Sequence, residues 1–133
     1  MKVAYEKPKV EKGVKSDLEL THAEKKELFA LVLKSRIFDE RFRKLFRAGR
    51  FAGTYFSGVG QEATTVVPCY NLQPQDFVGP SHRELGCSIA RSPLKQIAAQ
   101  IYARSHSPDK GKSHPCSYGY KPSNIITPAF TIG

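Results

Sequence analysis

Tryptophan is absent from this chain, methionine occurs once, and the cysteines number three, none of them in a C-x-x-C pair. Without paired spacing, Cys69, Cys87 and Cys116 are expected as reduced thiols in a cytosol-like compartment. No stretch approaches the roughly eighteen apolar residues that a membrane-spanning helix needs. No apolar core follows the first lysines, so no secretory signal is expected either. Acidic residues run short after position 42: residues 43–133 hold eleven Lys and Arg against four acids, and the whole chain carries a formal charge of +9. Such a surplus suits an anionic partner, whether a phosphorylated cofactor, a nucleic acid or an acidic protein. The basic residues are not interleaved with aromatics as in single-strand binders, so the pattern does not favour nucleic acid. Few and scattered acids also leave no carboxylate pair for acid–base work. There is no G-x-S-x-G nucleophile signature.

What the 133 residues do contain is enough for one domain with one core, at 40% hydrophobic and 25% charged residues. Residues 1–20 alternate Lys with acids and are expected as a flexible charged tail. Residues 21–133 make up the domain. Thr21-His22-Ala23-Glu24 is a capping box. The helix it opens has Leu28, Leu31, Val32, Ile37, Phe38, Phe42, Leu45 and Phe46 as one apolar stripe, and it stops at Gly49. The loop 51–60 contains three glycines and three aromatics; such aromatics either plug a core or line a pocket. A second helix begins at Gln61-Glu62-Ala63 and runs to about Tyr70, with Pro68 placed to end it early. A third runs from Gly86 to about Arg91. Ser92-Pro93 then offers an N-cap and a first-turn proline to a helix through Leu94, Ile97, Ala98, Ile101 and Tyr102. Residues 104–124 form a long polar loop, functional or disordered by its length, and Asn124 to Thr127 resembles the start of a strand.

The chain is organised around Asp76 to Gly86. Phe77 and Val78 suit a strand, which Gly79-Pro80 stops. Ser81, His82 and Arg83 then stand where strand passes to helix, the place at which α/β folds bind ligands. Arg83 offers a planar fork of donors to phosphate oxygens, with His82 as a second donor. The alternative is a surface Arg83 paired with Glu84 or Asp76. Gly111-Lys112-Ser113 is not a P-loop, because His106 stands where the first glycine belongs. His82, Cys87, His106, His114 and Cys116 match no ordinary zinc spacing.

Several short motifs carry a resemblance. Gly60-Gln61-Glu62-Ala63, Leu72-x-Pro74-x-Asp76-x-Val78, His82-Arg83-Glu84-x-Gly86 and Lys110-Gly111-Lys112 fall in one order and spacing, as do Arg36-x-Phe38-Asp39-Glu40-Arg41 and Gly49-Arg50. Together they resemble the alpha subunit of thiamine-diphosphate-dependent 2-oxo acid dehydrogenases, of the pyruvate and branched-chain types, over about residues 25–133. The loop from Asp109 to Gly119 is closer to the branched-chain type. The resemblance implies an α/β fold: the N-terminal part of a thiamine-diphosphate-binding domain, mostly helical here, with short parallel strands. It implies oxidative decarboxylation of a 2-oxo acid with acyl transfer to lipoamide. Arg83, His82 and Ser81 would serve the cofactor's diphosphate, and Ile132 its ring. Where the family has Tyr-Arg, this chain has His82-Arg83. Tyr55 and Phe56 would line the substrate side, Phe56 favouring an apolar substrate. No catalytic residue and no metal ligand is assigned: the family's Gly-Asp-Gly…Asn-Asn motif, which holds Mg²⁺, would lie outside this chain.

The implied partners are a beta subunit in a heterotetramer, a lipoyl-bearing acyltransferase component and the missing C-terminal half of the subunit, with no membrane. The implied location is the cytoplasm, or the mitochondrial matrix in a eukaryote. The isolated piece is expected to be inactive. The competing reading is a non-catalytic basic domain binding an acidic protein or nucleic acid.

Overall fold

Thr21 opens the first helix as the capping box requires. Its Oγ1 accepts from the Glu24 amide at 3.3 Å, and its own amide donates to the Glu24 carboxylate at 2.7 Å. These bonds to Thr21 hold the Glu24 carboxyl below its ordinary range. In the computed structural model, which describes residues 19–127, helix α1 spans His22–Arg47. Past Ala48 the chain turns through Gly49 at φ +64°. The Gly49 amide bonds the Phe46 carbonyl and the Arg50 amide the Leu45 carbonyl. This crossed pair is a Schellman ending, which favours glycine at that position.

Helix α2 spans Glu62–Tyr70, α3 Leu85–Arg91 and α4 Leu94–Ile101. Pro68 does not end α2 early. It sits in the last turn, where it removes one backbone bond just before the helix stops. Ser92 does not cap α4: the cap position is Pro93 with no side-chain bond, and the Ser92 hydroxyl is buried against Tyr118 instead. Helix α2 packs on α1 and α3, and α3 also meets α1 and α4.

The expected short parallel strands are not formed among the described residues. Two isolated bridges stand in their place, Val78 with Ile125 in parallel and Tyr120 with Ile125 antiparallel. The Val78 amide donates to Asn124 and the Ile126 amide to Val78. Gly79-Pro80 turns the chain away just after Val78, and Pro80 has no amide to extend a ladder. Before Ile125 the chain passes through Asn124 in the left-handed region, φ 51°. Pairing is thereby confined to one residue on each segment, and Phe77 is left exposed.

The core gathers Phe42, Tyr55, Ile89, Ile97, Ile101, Tyr118 and Ile125, with Phe38, Phe46, Phe51 and Tyr102 against it. Phe42 is its hub, stacked on Phe38 at 4.3 Å and meeting Phe51, Tyr55 and Tyr102 at 5.8–6.4 Å. The apolar stripe expected along α1 divides accordingly. Phe42 is buried, but Ile37 is 60% exposed and joins Phe29 and Leu33 on an outward face.

Candidate functional site

The turn that follows Val78 is closed by its own residues. The Glu84 amide donates to the Ser81 carbonyl at 3.0 Å, and the Ser81 amide donates to the Glu84 carboxylate at 2.6 Å. His82 and Arg83 stand at its tip. Neither alternative partner takes Arg83, since Glu84 is bonded to Ser81 and Asp76 to the Gln73 amide at 2.7 Å. Among the described residues the exposed Arg83 guanidinium has no ion pair. Its backbone is fixed by Gly58, where a Cβ would come within 2.3 Å of the Arg83 carbonyl oxygen.

His82 points the other way, into contact with Phe56 at 4.6 Å between ring centroids. Phe56 is also stacked on His114 at 5.7 Å. Burial, with His82 as a second cause, lowers the His114 pKa. The neutral ring accepts from the Cys116 amide through Nδ1 at 3.1 Å. Cys116 accepts in turn from the Phe56 amide at 3.4 Å, and burial raises its thiol to about 11.

Tyr55, Phe56, Ser81, His82, Cys116 and Tyr118 line one cavity of about 10 Å³, which has room for a single water. Four of the sequence-predicted site residues thus meet: Ser81, His82, Tyr55 and Phe56. Arg83 stands outside the cavity on the adjoining surface, and Ile132 lies outside the described residues. The two aromatics divide their work. Tyr55 belongs to the core, with its hydroxyl on Asp39 at 3.1 Å; burial, then Asp39, drive its pKa upward. Phe56 lies half-buried between the imidazoles.

The residues that shape this loop went unassigned in the sequence. Asp39 is buried on α1 and also accepts from the Gly58 amide at 2.7 Å. Glu62, at the start of α2, accepts from Arg36 in a two-point pair at 2.6 and 3.0 Å and from the Gly60 amide. Arg36 chiefly draws the Glu62 carboxyl down to about 2. Asp109 orders the long polar loop through Ser107, Gly111, Ser113 and Gln100. Burial alone would raise its pKa, but these bonds together lower it. The signals in the sequence were the Phe38-Asp39-Glu40 and Gly60-Gln61-Glu62 motifs; no spacing revealed which distant groups these carboxylates hold.

The arrangement offers an anion the Arg83 guanidinium, beside an apolar recess where the His82 and His114 imidazoles flank Phe56. A guanidinium with no ion pair among the described residues, on a turn held by its own hydrogen bonds, fits a diphosphate. No group of three His, Cys, Asp or Glu side chains that could hold a metal ion occurs among the described residues.

The family described as "Dehydrogenase E1 component" matches residues 30–133. The chain is similar to the pyruvate dehydrogenase E1 component subunit alpha of Bacillus subtilis (strain 168), at 32% identity over 116 residues. The proteins of the same description from Staphylococcus epidermidis and Staphylococcus aureus (strain Mu50) are 32% and 31% identical over 115 residues. In each case the match covers 86% of this chain and 29% of the relative.

Proposed function

Because the chain belongs to the dehydrogenase E1 component family, we propose that it is the N-terminal part of the alpha subunit of a thiamine-diphosphate-dependent 2-oxo acid dehydrogenase. Residues 21–133 would be an incomplete portion of that α/β cofactor-binding domain, with the Val78–Ile125 bridge the place where a parallel pairing would grow. The assembled enzyme would decarboxylate a 2-oxo acid oxidatively and pass the acyl group to lipoamide. Bound thiamine diphosphate would supply the electron sink at the 2-oxo carbon.

The observation that carries this reading is Arg83, rigidly presented and without a carboxylate partner among the described residues. Arg83 would donate to the diphosphate oxygens, and His82 would join it only by turning from its contact with Phe56. Ser81 holds the turn through its amide. Mg²⁺, bound by residues outside this chain, would share the diphosphate charge. Phe56 and the Tyr55 edge would bound the substrate side and exclude water. The relatives are named for pyruvate dehydrogenase; the loop from Asp109 to Gly119 and the apolar Phe56 favour a branched or otherwise apolar 2-oxo acid within the same chemistry. The partners in this reading are a beta subunit, in a heterotetramer, a lipoyl-bearing acyltransferase, and the remainder of the alpha subunit. A cytoplasmic or mitochondrial-matrix location goes with it. The exposed Phe29, Leu33 and Ile37 support burial within such an assembly.

The test is purification from the native source with intact-mass analysis of what accompanies the chain, followed by cofactor titration of the complex. A thiamine-diphosphate-dependent 2-oxo acid decarboxylase is expected. In that enzyme Arg83→Ala should weaken cofactor binding by about 1.5–3 kcal/mol, the worth of a hydrogen bond to a charged group. Unchanged affinity would remove Arg83 from the site.

A further inference from the structure

Helices α2 and α3 meet at an unusually close crossing. A Cβ on Gly86 would fall 2.1 Å from the Thr65 hydroxyl and 3.0 Å from Val66. Glycine alone permits that approach of two helices. Beside the crossing each helix buries a cysteine, Cys69 one turn beyond Thr65 and Cys87 next to Gly86. The Cys87 thiol is aimed at α2, donating to the Thr65 carbonyl at 2.9 Å. A disulfide needs Cα atoms within roughly 7 Å, which a crossing closed down on glycine favours.

We propose that Cys69 and Cys87 are a redox-active dithiol, converted by a hydroperoxide into a reversible disulfide that clips α2 to α3.

The two sulfurs are unequal. The Cys87 thiol is the first cause lowering the Cys69 pKa, and the Arg91 charge lowers it further. The Cys87 pKa is raised, first by Cys69 and then by burial. Arg91 is anchored by the carbonyls of Asp76, Gln73 and Ser123 at 3.0–3.4 Å, so its charge is held in place. Cys69, Ala90, Arg91 and Pro122 line a surface cleft of about 300 Å³, which gives a small peroxide a route to the lower-pKa sulfur. Attack by the thiolate is the step that such a microenvironment promotes.

The steps balance. The Cys69 thiolate attacks one peroxide oxygen, the O–O bond breaks, and the departing oxygen takes a proton and leaves as water. Cys69 is then a sulfenic acid. The Cys87 sulfur attacks that sulfur; the S–O bond breaks, and the hydroxide leaves as a second water with the Cys87 proton. Two thiols lose two electrons, and hydrogen peroxide gains them. Because α3 begins directly after the Ser81–Glu84 turn, the link would tie the helix leaving that turn to α2.

The test uses the full 133-residue chain, reduced, desalted and exposed to hydrogen peroxide. Free thiols are then alkylated, and intact mass and a non-reducing peptide map are recorded. The expected product has lost the mass of two hydrogen atoms and is alkylated only at Cys116. The Cys69 and Cys87 peptides are joined, and dithiothreitol added before alkylation restores all three thiols. Cys116→Ser should form the same link. Cys87→Ser should stop at a Cys69 sulfenic acid, trapped by dimedone. Three alkylated thiols after exposure, a link to Cys116, or a disulfide between two chains would each overturn the proposal. If Cys87→Ser fails to fold, the map of the unaltered chain decides alone.

Discussion

Gly58 packs against the carbonyl of Arg83, where an added Cβ would stand 2.3 Å from oxygen. That neighbour is backbone, and its turn is braced by Glu84, so it cannot swing aside. Gly58→Ala is expected to destabilise the fold by more than about 2 kcal/mol, in the range of overpacking, and to displace the His82–Arg83 tip. Denaturant unfolding checks the first effect; an intact midpoint would mean that the turn can yield. Glu62 makes a second prediction at this scale. Its folded pKa lies below its ordinary value of 4.5, at about 2. The Arg36 pair therefore stabilises the fold above pH about 4.5 and loses that contribution as pH falls toward 2. Arg36→Ala should lower stability at neutral pH and flatten the acid limb of the stability curve, as measured by urea titration across that window. The sequence marked Glu62 as part of a motif. It could not show that Arg36, a helix away, would bind it, since long-range pairing leaves no local period. Arg83 was legible as a candidate, and its lack of an ion partner among the described residues emerged only from the turn geometry that occupies Glu84 and Asp76.

Helix boundaries were legible where local chemistry sets them. Thr21 and Glu24 cap α1 within their own four residues, and Gly49 ends it by its backbone freedom alone, with no atom within 4 Å of a prospective Cβ. Gly49→Ala is thus a clean probe of left-handed strain. It should cost about 1 kcal/mol, with Gly49→Asn costing less, read as shifts in the denaturation midpoint. Boundaries set by tertiary contacts were not legible. Ser92 has a capping sequence, but its hydroxyl is buried instead. Phe77 and Val78 have a strand's composition, but Pro80 and the left-handed Asn124 confine the pairing. The long polar loop is ordered because one carboxylate, Asp109, gathers donors from four residues.

Over the whole molecule, apolar area is unevenly placed. The aromatic core is well filled, whereas Phe29, Leu33 and Ile37 form an outward stripe beside a groove of about 440 Å³ that includes Leu33, Ile37, Phe38 and Leu94. The periodicity of α1 revealed that these residues are apolar; whether another part of the same chain covers them is outside what periodicity can encode. The isolated chain should bind an apolar-surface dye. Leu33→Ser with Ile37→Ser should lower that fluorescence with little change in the thermal midpoint, because neither side chain is buried. A large fall in the midpoint would place both in the core.

The Val78–Ile125 bridge has a consequence in time as well as in space. Its two ends are separated in the chain by α3, α4 and the whole Asp109 loop. Bringing them together costs closure entropy that only a few backbone bonds offset. The helices can assemble before this contact exists, so the bridge should close late in folding and open early in native fluctuations. In hydrogen exchange, the amides of Val78 and Ile126 should then release their protons well before those inside α3.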